Sequence, residues 1–191
     1  TNPADAVKTF ARAKELLEFS KTKVIRITGT VTVADTETWD LSDVPGAYVV
    51  TDAANTSYAG IIRAGASLTL TNLDLKGNEK GYMFFQIAVG GTLTLGKGAI
   101  VEDNTASGST SGFYVMGTMN IEEGATIRNI TGTYKSGSNY GMAQVNSGAT
   151  VNMNGGLIEN IRNNSVAASQ NACVFSVAGS TSKTTTFVNL N

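Results

Sequence analysis

Hydrophobic positions in this chain follow two periods, and the change falls at one place. Between Asn2 and Lys21, Ala6, Val7, Phe10, Ala13, Leu16, Leu17 and Phe19 fall near the i, i+3, i+4, i+7 positions, with Pro3 and Asp5 suited to a first turn. This predicts one amphipathic helix of about four turns over residues 1–22. From Lys23 onward the period is two: in "VIRITGTVTV", Ile25 and Ile27 share one face, Val24 and Arg26 the other, with Val31 and Val33 past Gly29. Helical spacing does not return.

The two-period segment is also a repeat. Leu68-Thr69-Leu70, Leu93-Thr94-Leu95, Met119-Asn120-Ile121, Val151-Asn152-Met153 and Val188-Asn189-Leu190 are apolar-polar-apolar triplets whose starts lie 25, 26, 32 and 37 residues apart. A second register aligns "GAIVEDN", "GATIRNI" and "GGLIENI", placing Gly98, Gly124 and Gly155 three residues before Val101, Ile127 and Ile158. A third apolar run, "MFFQIAV", "GFYVM", "GMAQV" or "CVFSV", closes each unit. Three short strands thus repeat four times. Repeats of this length mean a solenoid or a propeller. Three strands in as few as 25 residues are too little for a four-stranded propeller blade, so the coil of a parallel β-helix fits. In such a coil equivalent residues stack about 4.8 Å apart, and every repeat position becomes a ladder. Longer segments such as "TGTYKSGSN" and "RNNSVAASQN" are expected to bulge outward as loops.

The composition agrees. The chain has 191 residues, 41% hydrophobic and 15% charged, with 21 Gly and 2 Pro, which suits short strands and tight turns and predicts an all-β domain. A net charge of -1 lacks the basic footprint of a nucleic-acid binder. No apolar run reaches membrane-spanning length. Cys173, the single cysteine, cannot form an internal disulfide and reads as a strand residue packed as a small hydrophobe.

These segments resemble the right-handed parallel β-helix group that includes pectate-lyase-like enzymes and the repeat domains of bacterial surface adhesins and autotransporter passengers. The likeness is carried by an N-terminal helix followed by "TKVIRITGTVTV", then "GASLTLTNLDLKGN", "GGTLTLGKGAIVEDN" and "GATVNMNGGLIENI". It implies a right-handed parallel β-helix over residues 23–191, three strands per coil, whose first coil is capped by the helix through Val7, Phe10, Leu16 and Leu17. The far end, "FVNLN", carries no cap and reads as a solenoid cut from a longer protein.

Candidate chemistry is sparse. The chain has no histidine, which removes Ser-His-Asp hydrolysis and most zinc chemistry, and it carries no Walker or dinucleotide fingerprint and no CxxC. No metal or cofactor is expected. If the domain is an enzyme, the resemblance points to acid catalysis on polysaccharides by Glu102, Asp103 and Glu159. In the aligned register Glu102, Arg128 and Glu159 form one column and Asp103, Asn129 and Asn160 the next. Carboxylates roughly 5–9.5 Å apart could serve as acid and base. The simpler expectation is an exposed salt-bridge ladder beside a ladder of Asn side chains, which tolerate left-handed backbone and bond the next coil's carbonyls. Calcium around Asp74, Glu102 and Asp103 would need a denser set of acids than the chain offers. An aromatic strip of Tyr82, Tyr114, Tyr134 and Tyr140 is the candidate ligand surface, for a glycan or a host protein. Regular Thr columns would mark a binder of ice or another repeating surface; Thr69 and Thr94 begin one, which Asn120 and Asn152 end. The expected function is a non-catalytic binding or adhesion module, extracellular or on the cell surface, joined to further domains of its chain, with a polysaccharide lyase or glycoside hydrolase as the alternative.

Overall fold

The computed structural model describes residues 7–52, 57–77, 83–106, 110–132, 140–164, 172–177 and 187–190. It is a parallel β-solenoid of three sheets, preceded by one short helix. Among the described residues eighteen strands, β1 to β18 in chain order, fall in turn into sheets A, B and C, six to each. Sheet A contains β1 (Val24–Ile27), β4 (Tyr48–Thr51), β7 (Leu73–Lys76), β10 (Ala99–Ala106), β13 (Thr126–Gly132) and β16 (Leu157–Asn163). Sheet B contains β2 (Val31–Val33), β5 (Tyr58–Ile62), β8 (Met83–Ile87), β11 (Thr110–Val115), β14 (Tyr140–Val145) and β17 (Ala172–Val177). Sheet C contains β3 (Thr36–Asp40), β6 (Ser67–Thr71), β9 (Thr92–Leu95), β12 (Thr118–Glu122), β15 (Thr150–Asn154) and β18 (Phe187–Leu190). The sequence repeat shows four units; the first coil lacks the triplet because Glu37 stands where the next coil has Leu68.

The ladders run as the repeat requires. Leu68, Leu93, Met119, Val151 and Val188 stand in single file across sheet C, and Val101, Ile127 and Ile158 do so across sheet A. Leu68, Leu93, Met119 and Val151 are wholly buried, in one core with Phe85, Phe113 and Val145 from sheet B. Period-two alternation, stacked coil upon coil, makes that core continuous. Phe85 lies over Gly60, the residue opposite it on β5, so a Cβ at Gly60 would meet the Phe85 ring.

One feature of sheet A breaks the alternation. Asp103, Asn129 and Asn160 adopt left-handed backbone, with φ of 59°, 56° and 53°. Each sits inside its strand, so that inward residues fall three apart: Ile127 and Ile130 are both buried while Asn129 between them is exposed. Asn and Asp accept this conformation at lower cost than other non-glycine residues.

The helix is shorter than its pattern predicts. α1 spans Phe10–Leu16 and passes into a single 3-10 turn, Leu17–Phe19. The Thr9 side chain caps it, accepting the Arg12 backbone N–H at 3.2 Å. Pro3, Asp5 and Ala6 lie outside the described residues. Val7 and Leu16 are each about 40% exposed and Phe19 is 84% exposed, so the capping face is Phe10, Ala13 and Leu17 instead. Tightening to three residues per turn after Leu16 swings Leu17 inward and leaves Leu16 and Phe19 outside. The Phe10 ring stacks on Trp39, centroids 5.0 Å apart, and Trp39 meets Phe85 edge-on at 6.0 Å. Lys23 Nζ donates to the Leu17 carbonyl at 2.5 Å, a second donor beside the Ser20 backbone N–H that closes the 3-10 turn.

Candidate functional site

Three sets of side chains repeat on the outside of the coils, and the acids come first. One register of sheet A reads Arg26, Val50, Lys76, Glu102, Arg128, Glu159. Glu102 is gripped from both neighbouring coils: Oε1 accepts from Lys76 Nζ and Oε2 from Arg128 Nε, each at 2.6 Å. The ladder expected on the surface is in fact covered at its centre, since Glu102 is only 3% exposed. Burial alone would raise the Glu102 carboxyl, but the hydrogen bonds from Lys76 and Arg128 outweigh it and hold the group below the usual carboxylate range. A carboxylate kept ionised by two cations is a poor proton donor.

Asp103 points the other way, exposed where Glu102 is buried. Its Oδ1 accepts from Asn129 Nδ2 at 2.9 Å, and Asn129 Oδ1 accepts in turn from Asn160 Nδ2 at 3.3 Å. The amide ladder therefore runs from side chain to side chain, where the sequence led us to expect backbone carbonyls as acceptors. Left-handed residues in successive coils stack their short side chains directly above one another, which brings amide to amide. Glu159 lies two coils from Glu102, with Arg128 between them. Glu102 is thus engaged by Lys76 and Arg128, and Asp103 by Asn129. Asn129→Ala should lower stability by about 1–3 kcal/mol, through left-handed strain and the lost ladder bonds. Asn129→Gly should cost less because the strain vanishes, a ranking that urea melts of both variants check.

Asp74 completes the charged group. Its Oδ2 is 3.2 Å from Lys76 Nζ, while Oδ1 is buried without a hydrogen-bond partner. Burial pushes its carboxyl upward, chiefly against the pull of Lys76. Lys76 also lies 5.6 Å from the centre of the Tyr48 ring. With Lys76 between Asp74 and Glu102, these acids make no cation cage, and among the described residues no group of three or more His, Cys, Asp or Glu could hold a metal.

Of the four tyrosines of the expected strip, Tyr114 is the one whose side chain is described. Tyr114 is half-buried on β11, in register with Gln86 and Gln144 on its neighbours. Its aromatic partner is Tyr58 of β5, with centroids 6.2 Å apart and planes tilted by 50°. Burial, with a smaller contribution from Tyr114, raises the Tyr58 hydroxyl above its ordinary range. Tyr140 begins β14, opposite Ala172, four residues before the Gln144 that faces Tyr114. Its backbone is thus about 13 Å along the strand from Tyr114's register. Tyr82 and Tyr134 lie outside the described residues. The pairing of Tyr58 with Tyr114 was hidden in the sequence because it joins residues two coils apart. Cys173 is half-buried in β17, and burial raises its thiol.

Compared with known proteins, the chain matches no family model, no curated protein and no solved structure. The architecture, a three-sheet parallel β-solenoid with a helical N-terminal segment, rests on the strand register itself.

Proposed function

We propose that this chain is a non-catalytic binding module, extracellular or on the cell surface, of the kind carried by bacterial adhesins and autotransporter passengers with β-helical repeats, and that its ligand is a glycan. The observation that carries this reading is the Tyr58–Tyr114 pair, two half-buried rings on sheet B with Gln86 and Gln144 in register beside Tyr114. Aromatic faces stack on the C–H faces of sugars, and amides supply both donors and acceptors to sugar hydroxyls. The arrangement of the acids supports the same reading, because Glu102 is committed to Lys76 and Arg128 and Asp103 to the amide ladder.

A glycan array run together with assays for new reducing ends and unsaturated products tests it. The expected result is array binding without turnover, weakened at least about tenfold, or 1.4 kcal/mol, in Tyr58→Ala and in Tyr114→Ala. Binding that neither substitution changes would reject the tyrosine site. A silent array with capture of a host surface protein would move the ligand to the protein class. Turnover abolished by Glu102→Gln would replace the proposal with a β-helical lyase or hydrolase.

A further inference from the structure

Sheet C carries a surface that the tyrosine site does not use. Two outward registers run across its coils. One is Thr36, Ser67, Thr92, Thr118, Thr150; the other is Thr38, Thr69, Thr94, Asn120, Asn152, Asn189. The second register alone is visible as a Thr column that Asn interrupts. Beside it the first runs as hydroxyls through five coils. All these side chains are exposed or half-exposed, and the residues between them in the four coils from Ser67 to Asn154, such as Leu68, Leu93, Met119 and Val151, face the core.

We propose that this outer face of sheet C is a docking surface for an uncharged, extended polysaccharide laid along the solenoid axis. Its geometry is the first argument. Rungs repeat every 4.8 Å or so and the two registers lie about 6.6 Å apart, so five coils present a two-column grid of hydroxyls and amides roughly 19 Å long. Register is unbroken from β3 through β18, whereas the strands of sheet A carry left-handed residues that interrupt their alternation and sheet B shifts register between Thr110 and Phe113. The grid is also pre-ordered. Ser67 Oγ donates to Thr36 Oγ1 at 3.1 Å, Asn120 Nδ2 to Thr94 Oγ1 at 3.3 Å and Asn152 Nδ2 to Asn120 Oδ1 at 2.9 Å. Branched Thr side chains hold few rotamers, so little freedom is lost on binding. An Asn amide carries two donor hydrogens and the column takes one of them.

Charge selects the occupant. The strands of sheet C contain no Lys or Arg, and acids border the grid: Asp35 just before it, Asp40 and Glu122 in the next outward register. A polyuronate or sulfated chain would meet like charge, whereas a neutral polyol meets only hydroxyls and amides. Access agrees. From the second coil to the fifth the connections on either side of sheet C have four residues or fewer; in the first coil two residues precede β3 and seven, 41–47, follow it, while the segments 52–57, 77–82, 133–139 and 164–171 all join sheet A to sheet B.

Affinity electrophoresis through gels containing xylan, mixed-linkage β-glucan, mannan or polygalacturonate tests the proposal. The wild-type chain should be retarded by at least one of the neutral polymers and not by polygalacturonate. The triple variant Thr69→Val, Thr92→Val, Thr94→Val keeps shape and β-branching but removes three hydroxyls. It should bind the neutral polymer at least tenfold more weakly, with a Tm within a few degrees of wild type. Retardation by polygalacturonate alone, absence of retardation by all four polymers, or undiminished binding by the triple variant would each overturn the assignment. So would thermal hysteresis in ice without polymer binding, which would give the face to ordered water. Binding that survives the triple variant but fails in Tyr58→Ala and Tyr114→Ala would leave the tyrosine site standing and remove this one. The opposite pattern would do the reverse.

Discussion

Phe85→Ala is expected to lower the unfolding free energy by about 3–5 kcal/mol, the range for truncating a fully buried phenylalanine. The position combines three dependencies. Its ring fills the space that Gly60 leaves in the coil before, meets the edge of Trp39 from the first coil, and is opposed in register by Phe113 from the coil after. Trp39 in turn carries the stacked Phe10 of α1. A cavity at Phe85 therefore loosens both the coil stack and the seat of the helix. In a solenoid most contacts join neighbouring coils, so a fault at one coil weakens two interfaces. Urea unfolding monitored by tryptophan fluorescence reads the loss directly, since Trp39 is the only tryptophan. A change below 1 kcal/mol would mean that the coils do not pack as described.

Glu102→Gln is expected to cost about 3 kcal/mol at neutral pH. Removing one partner of a buried ion pair costs about 3–5 kcal/mol, and the lower end applies because Lys76 and Arg128 each keep about a third of their side-chain surface in water. The pH dependence carries its own sign. A carboxyl whose folded value lies below its unfolded value, as at Glu102, contributes fully above the unfolded value and loses that contribution as pH falls through the folded one. Wild type should therefore lose stability on acidification through the carboxylate range, and Glu102→Gln should lose less. Asp74 runs oppositely. Its folded value is raised, so its contribution is present below the unfolded value and fades as pH rises through the folded one. Asp74→Asn should accordingly be neutral or stabilising near pH 7. Thermal melts of the three proteins from pH 7 to pH 3 check both signs.

Much of the architecture can be read from particular residues. The triplets beginning at Leu68, Leu93, Met119 and Val151 show both strand and register, because a period of two fixes the buried face and a repeat fixes which residues stack. The column of Glu102, Arg128 and Glu159 follows from the same alignment. The first coil is less legible: Glu37 replaces the apolar residue of the triplet and bonds the Trp39 indole at 3.1 Å, so the local pattern fails although the strand pairs normally with β6. The helix is shorter than its pattern for a related reason. Helical spacing records which residues could face a core, and tightening after Leu16 decides which of them do.

The candidate surfaces divide in the same way. Tyr114 stands out in its strand, but its ring partner comes from two coils earlier, and no local signal joins them. The column of Thr36, Ser67, Thr92, Thr118 and Thr150 is present letter by letter, yet it becomes a surface only when short connections leave sheet C open and the coils align it.

By itself the sequence determined the strands, the inward faces and the stacking order, since alternation and repeat are local properties that each coil must satisfy. The tertiary structure alone decided which charges are buried and which rings meet. It also decided which face is clear, because those outcomes depend on side chains from different coils reaching the same place in space.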